Sequence, residues 1–429
     1  MTSLNGRRRA HLRILLATAI VALVAPAATT AQPVVTVLHA FGDGADGAQP
    51  YASLIQATDG NFYGTTYGGG NYSCLIDGTP KTCGSNGTVF RMTPEGTETV
   101  LHVFGFASDD EGAWPSGLIQ ATDGNFYGIA SVGFDGNARV FQVTPSGTFT
   151  YVHTFNTEAG PLPSPSLIQA TDGNFYGMTS YGGTESLDYC GQGGCGTVFQ
   201  MTPSGTFSVL HTFNSTEGIF PYASLIQATD GNFYGTTSGG GAFGRGTVFT
   251  MTPAGDLTVL HAFGSYPDGY YSLASLIQAT DGNFYGTTLF GGAQGLGTVF
   301  QITPSGTFTV LHSFVGEFNG GEMVDGAGPR ASLIQATDGN FYGTTSSGGN
   351  PSSVGIGSVC CGTVFQMTPS GTVTVLHAFG TGGGTFPFAS LIQATDGNFY
   401  GTTYEGGGGS CFYGALDDGC GVLFELTFG

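Results

Sequence analysis

The sequence predicts an all-β fold, a seven-bladed β-propeller with four antiparallel strands in each blade. Three observations predict it. The undecapeptide LIQATDGNFYG occurs seven times without a change, its Asp falling at Asp59, Asp123, Asp172, Asp230, Asp281, Asp338 and Asp396. The copies lie 49 to 64 residues apart, the length of a propeller blade and too long for one rung of a β-helix. The two ends of the chain carry complementary parts of one repeat.

Each repeat reads as four strands. Strand A is Ser-Leu-Ile-Gln-Ala, as at Ser224 to Ala228, and Asp230-Gly231 turns the chain as a two-residue type I′ hairpin. Strand B is Asn232 to Thr237, and a Gly-rich loop follows it. Strand C is Gly246 to Thr252, and Thr252-Pro253-Ala254-Gly255 has the Pro and Gly placement of a type I turn. Strand D is Leu257 to Phe263, rich in β-branched and apolar residues. Residues 34–41 read as a strand D with no A to C before it, and 421–427 as a strand C with no D after it. Pairing the two closes the ring and removes an exposed sheet edge.

Composition agrees. Gly is 76 of 429 residues, well above the usual share of about 7%. Aromatics at 13% are too many for a disordered chain, and no G-X-Y period suggests collagen. Residues 1–31 read as a signal peptide. Arg7, Arg8, Arg9 and Arg13 precede the apolar run Ile14 to Ala25, too short to span a bilayer. Cleavage after Ala31 or at Ala25-Pro26-Ala27 fits, and the Arg8-Arg9 pair leaves both general and twin-arginine export open. Residues 32–429 are then one propeller domain, expected to be secreted, monomeric and not inserted in a membrane.

Without the leader, 29 acids face only Lys81, Arg91, Arg139, Arg245 and Arg330, a net charge of −24. Such a surface repels nucleic acid and anionic lipid. It disfavours long polyanions unless local arginines overcome the field, and it suits cations and neutral sugars.

The segments DGNFYGTT, GTVFQMTPSGT and VLHAF, with the GGG loop, resemble the Gloeo/Verruco (GloVer, choice-of-anchor) tandem repeats of secreted bacterial proteins. The resemblance covers Val34 to Phe428 and implies secreted or surface proteins with no assigned activity. Members of that family often end in a surface-sorting segment. None follows the last strand here, which favours release over anchoring.

Function is expected on the face shared by the variable D–A and B–C loops. The D–A loops repeat an acid: Asp46, Glu111, Glu158, Glu217, Asp268 and Asp325, with Gly383-Gly384 in the last copy. These acids fit a carboxylate ring at the channel mouth that holds calcium or sugar hydroxyls, or carboxylates that bond backbone N–H groups within turns. Seven histidines, His39, His102, His153, His211, His261, His312 and His377, fall one per strand D. Seven copies point to packing, because a catalytic base is needed once. Neither metal-ligand spacing nor a Ser/His/Asp constellation stands out, so neither a metal nor a cofactor beyond calcium is expected.

The residues that break the repeat are the binding candidates: Trp114 with Asp110 and Glu111, Tyr270 and Tyr271, and Arg330. Aromatics stack on sugars while carboxylates accept hydroxyls. All eight cysteines lie in B–C loops, and disulfides are expected for Cys74–Cys83, Cys190–Cys195 and Cys411–Cys420. The partners of Cys360 and Cys361 stay open. The sequence favours a secreted binding module for carbohydrate or a surface partner. A polysaccharide lyase or glycosidase, and a structural envelope protein, are the alternatives.

Overall fold

The computed structural model describes residues 33–428 apart from 43, 71, 77–78, 84–85, 106–112, 133–136, 156–165, 184–189, 191–192, 265, 317, 320–321, 324, 349–360, 381–382 and 409–418. Seven sheets contain the four-strand order A-B-C-D. Their A strands are Ile55–Gln56, Ile119–Gln120, Ile168–Gln169, Ile226–Gln227, Ile277–Gln278, Ile334–Gln335 and Ile392–Gln393, which number blades 1 to 7. In blade 4 the rest are Phe233–Thr237, Thr247–Met251 and Leu257–Ala262, close to the expected bounds. Among the described residues no helix is long and apolar enough to cross a membrane.

The N-terminal strand Val34–Ala40 pairs antiparallel with Val422–Thr427, in the register Val34↔Thr427 to Ala40↔Val422. It is the strand D of blade 7. Closure shows again in two rings of contacts. The backbone N–H of Thr58 donates to the Gln120 side chain of the next blade, and the bond recurs around the ring until Thr395 of blade 7 donates to Gln56 of blade 1. Bonds this short between all neighbouring A strands require the smallest radius, so strand A is innermost.

The Phe-Tyr dipeptide forms the second ring. Successive strand residues point to opposite faces, so Phe faces the preceding blade and Tyr the following one. The Tyr ring of each blade meets the Phe ring of the next at 3.9–4.5 Å. The core lies accordingly between blades. Seven buried clusters each span one seam, for example Tyr176, Met178 and Val198 with Phe233, Phe249 and Met251. The Gly of FYG leaves room for the strand C ring: a Cβ on Gly235 would stand 2.6 Å from Phe249 Cζ.

The A–B turn differs from the two-residue type I′ expectation. Gly60 N–H donates to Ala57 and Ala57 N–H to Asn61, and Gly60 has positive φ while Asp59 does not. It is a three-residue loop, a type I turn closed by a Gly in the left-handed region. The Asp side chain explains the choice. Asp59 accepts from the Asn61 backbone, the Asn61 amide and the Tyr63 hydroxyl, and the other six repeat the pattern. The C–D turn is type I as expected, with Gly255 N–H donating to Thr252 O.

Candidate functional site

The D–A loops cross one face of the ring from the outer strand D to the inner strand A of the next blade. Before strand A most carry the order X-Pro-Z: Gln49-Pro50-Tyr51, Trp114-Pro115-Ser116, Phe220-Pro221-Tyr222, Gly328-Pro329-Arg330 and Phe386-Pro387-Phe388. Blade 5 has Tyr271-Ser272-Leu273. Every described X residue has positive φ, between 53° and 63°, including the five that are not Gly. A side chain in that region costs on the order of 1 kcal/mol, and such residues concentrate where structure serves function.

The backbone at X is fixed from two sides. Its N–H donates to a carbonyl just before strand C of the preceding blade: Trp114 to Asn86, Phe220 to Cys195, Tyr271 to Arg245, Phe386 to Cys361 and Gln49 to Cys420. Its carbonyl accepts from the end of its own strand B, as Gln49 from Tyr67, Phe220 from Ser238 and Phe386 from Tyr404. The scaffold thus holds the main chain and leaves the X and Z side chains to vary. What it displays is largely aromatic.

Two aromatic tracts result. The first crosses the ring closure. Arg330 lies over Phe388 at 5.2 Å, Phe388 meets Tyr51 at 5.6 Å and Tyr404 at 5.4 Å, and Tyr51 meets Tyr404 at 6.0 Å. The Tyr67 phenol is raised, by burial first and then by Tyr51; that of Tyr404 is raised by burial and then by Tyr67. Tyr67 stacks on Trp114 at 5.7 Å and 10° between planes. Tyr51, Tyr67 and Trp114 are 38–46% exposed, so part of each ring reaches solvent. The second tract joins Tyr181, Phe220 and Tyr222 in blades 3 and 4 to Tyr270, Tyr271 and Phe290 in blade 5. Arg245 covers Tyr270 at 4.7 Å.

The sequence candidates are therefore divided. Trp114 and Tyr271 occupy equivalent loop positions but sit three blades apart, so they do not share one small ligand. Arg330 stands on Phe388 at the other end of the Trp114 tract, likewise three blades from Trp114, so these candidates do not meet at one point either. Asp110 and Glu111 lie outside the described residues. Tyr51, Tyr67, Phe386, Phe388 and Tyr404 were missed, although aligning the loops on the Pro before strand A would have found three of them.

Among the described residues the acids do not form a carboxylate ring. The described D–A acids turn outward to strand D and bond the histidines there: His39–Asp46 at 3.1 Å, His211–Glu217 at 3.0 Å, His261–Asp268 at 3.0 Å and His312–Asp325 at 2.9 Å. Each of the three Asp residues also accepts a backbone N–H of its own loop, as Asp268 from Gly264. Burial opposes ionisation of Asp46, but the His39 and Gly42 bonds outweigh it and hold the carboxyl below its ordinary value. The histidines also pack between blades. His102, His153 and His261 stack on Phe149, Phe207 and Phe308 of the following blade at 3.6–4.5 Å. Among the described residues no group of His, Cys, Asp and Glu is arranged for a metal.

One position brings a charge into that packing. Three blades place a Phe under the histidine and three others Val35, Leu257 and Val373, but blade 1 places Glu98. Burial pushes its carboxyl up to about 7, with His39 partly offsetting and Asp46 adding to the rise. Glu98 and Asp46 line an open cleft of about 520 Å³ with Ala45, Thr99, Val100 and Val103, at the outer edge of the blade 7 and blade 1 seam. That cleft is away from the aromatic tracts.

The disulfide Cys190–Cys195 is formed, and Cys361 and Cys420 are each disulfide-bonded. No described cysteine is free. Cys74 and Cys83 fall on a hairpin, Tyr72–Ile76 with Thr79–Cys83, where the sequence predicts a loop. The pairing of these two, and Cys360 and Cys411, lie outside the described residues.

A family model for the Gloeobacter/Verrucomicrobia repeat matches residues 26–188 and 186–416. A search of curated proteins returns no match. Among solved structures, the extracellular domain of the putative hybrid two-component system BT3049 from B. thetaiotaomicron aligns with a TM-score of 0.53 at 11% identity. That alignment covers 92% of this chain but only 41% of the other. A putative 6-phosphogluconolactonase from Bacteroides uniformis aligns with a TM-score of 0.47 at 16% identity, over 76% and 83% of the two chains. A gluconolactonase from Xanthomonas campestris aligns with a TM-score of 0.42 at 13% identity, over 75% and 88%. At these identities the likeness concerns the fold.

Proposed function

Since the chain belongs to the Gloeobacter/Verrucomicrobia repeat family and displays aromatic rings on a fixed backbone, we propose that it is a secreted, non-enzymatic module that binds carbohydrate on its loop face. The observation that carries this reading is the set of positive-φ X residues. Their main chain is repeated while their side chains differ: Trp114 and Tyr271 are exposed, Phe220 and Phe386 half-buried, and Gln49 buried. Exposed rings held this rigidly offer stacking area to sugar faces at little entropic cost. The disulfide Cys190–Cys195 supports export, and the BT3049 neighbour is an extracellular domain. On this reading residues 1–31 are removed and 32–429 act as one domain.

A glycan array on residues 32–429, paired with a reducing-sugar assay, tests the proposal. Binding without release of reducing ends is expected. Trp114→Ala should weaken the best ligand roughly thirtyfold, about 2 kcal/mol, with an unchanged melting curve. Because Tyr271 is three blades away, Tyr271→Ala should affect only a ligand long enough to reach both tracts. Turnover of a bound glycan, or unaltered affinity in both variants, would contradict the reading.

A further inference from the structure

We propose that Arg330 reads a carboxylate, so that the sugar taken by the tract across the ring closure is an acidic pyranose, a uronic acid. This rests on the binding reading above. Arg330 occupies position Z, where the other loops named above have Tyr51, Ser116, Tyr222, Leu273 and Phe388. The chain carries 29 acids against nine bases. Yet among the described residues no carboxylate pairs with Arg330; the ion pairs found there join His39, His211, His261 and His312 to acids. Its Nε is buried without a hydrogen-bond acceptor. The protein therefore leaves the Nε–H of this guanidinium without a partner of its own, and a ligand that pairs with the head group can supply the acceptor.

The chemistry of the missing acceptor follows from the head group. A guanidinium presents parallel N–H donors that match the two oxygens of a carboxylate. The same group lies over Phe388, which continues into Tyr51 and Tyr404 at 5.6 and 5.4 Å. A cation beside a flat aromatic wall suits a ring whose apolar face packs on the wall while a carboxylate projects from its rim. A uronic acid pyranose has that shape. The net charge of −24 on residues 32–429 selects further, because it repels a long polyanion. One uronate residue, terminal or isolated in a neutral glycan, meets both conditions.

The test titrates the methyl glycoside of glucuronic acid, its methyl ester and methyl glucoside into the wild type, Arg330→Met and Arg330→Lys, by calorimetry and saturation-transfer NMR. The wild type should prefer the acid over its ester by on the order of tenfold or more, less so at high salt. Arg330→Met should bind acid and ester alike, with an unchanged melting curve, and Arg330→Lys should keep a smaller preference. Equal wild-type affinity for acid and ester would overturn the inference and leave the carbohydrate reading standing. Absence of binding to any sugar, here and on the array, would overturn both. A short acidic peptide bound in place of the glucuronide, and lost in Arg330→Met, would overturn the sugar assignment.

Discussion

The two faces of the ring are built by the same strands and treat their side chains in opposite ways. On the turn face, Asp, Asn and Tyr repeat in every blade because each side chain completes a bond: Asp230 accepts from Asn232 and Tyr234, and Gln227 from Thr229's counterpart in blade 3, Thr171. On the loop face the backbone bonds repeat just as regularly, but they run through main-chain atoms, as from Trp114 to Asn86 and from Phe386 to Cys361. Sequence identity marks the places where side chains carry the ring. Sequence freedom marks the places where the ring carries side chains.

The strongest way to break this comparison is to remove what both faces share. Deleting residues 32–41 takes away strand D of blade 7 and exposes the edge of Val422–Thr427. Aggregation, or loss of a cooperative melting transition, is expected. A truncated protein that melts like the parent would show that closure contributes little.

A substitution in the shared core should cost less. Gly235→Ala places a methyl group 2.6 Å from the Phe249 ring, in a seam with no space to yield. Overpacking of this kind costs about 1–3 kcal/mol. Denaturant titration measures it, and no loss would mean that the blades separate more readily than their packing implies.

Two sets of acids should respond oppositely to pH. Asp59, Asp123, Asp172, Asp230, Asp281 and Asp338 are held below the usual value, as hydrogen bonds from Asn and Tyr outweigh the effect of burial. Their contribution is present above the unfolded value of 3.8 and is lost as pH falls through the folded one. Glu98 is raised from 4.5 to about 7, so its contribution is full below 4.5 and is lost as pH rises to about 7. His102, lowered to about 4 by burial, works against it between 6.5 and 4. The difference between Glu98→Phe and wild type at each pH removes the histidine terms. That difference should grow between pH 5 and pH 8, by a few degrees in Tm at most. A difference that does not change with pH would show that Glu98 stays ionised.

The fold was legible because its determinants are local and repeated. Asp-Gly turns, alternating strands and a strand at each end of the chain specify blades, their number and their closure. The A–B turn type was not legible, since it depends on Asp230 bonding Tyr234, a contact between side chains four residues apart. The pairing of His39 with Asp46 was legible only in halves: both series were visible, but not that the acid folds back onto the outer strand. Trp114 and Arg330 stood out by composition. The aromatic tract around them did not, because Tyr51, Phe388 and Tyr404 come together only when blade 7 meets blade 1.

On the proposed function the loop face, and not the turn face, meets the ligand. Hydrogen exchange with and without the best-binding glycan measures this directly. Protection is expected at residues 49–53, 113–116 and 386–390, with no change at the A–B turns 57–61 and 121–125. Protection confined to those turns would place the site on the opposite face and contradict the account.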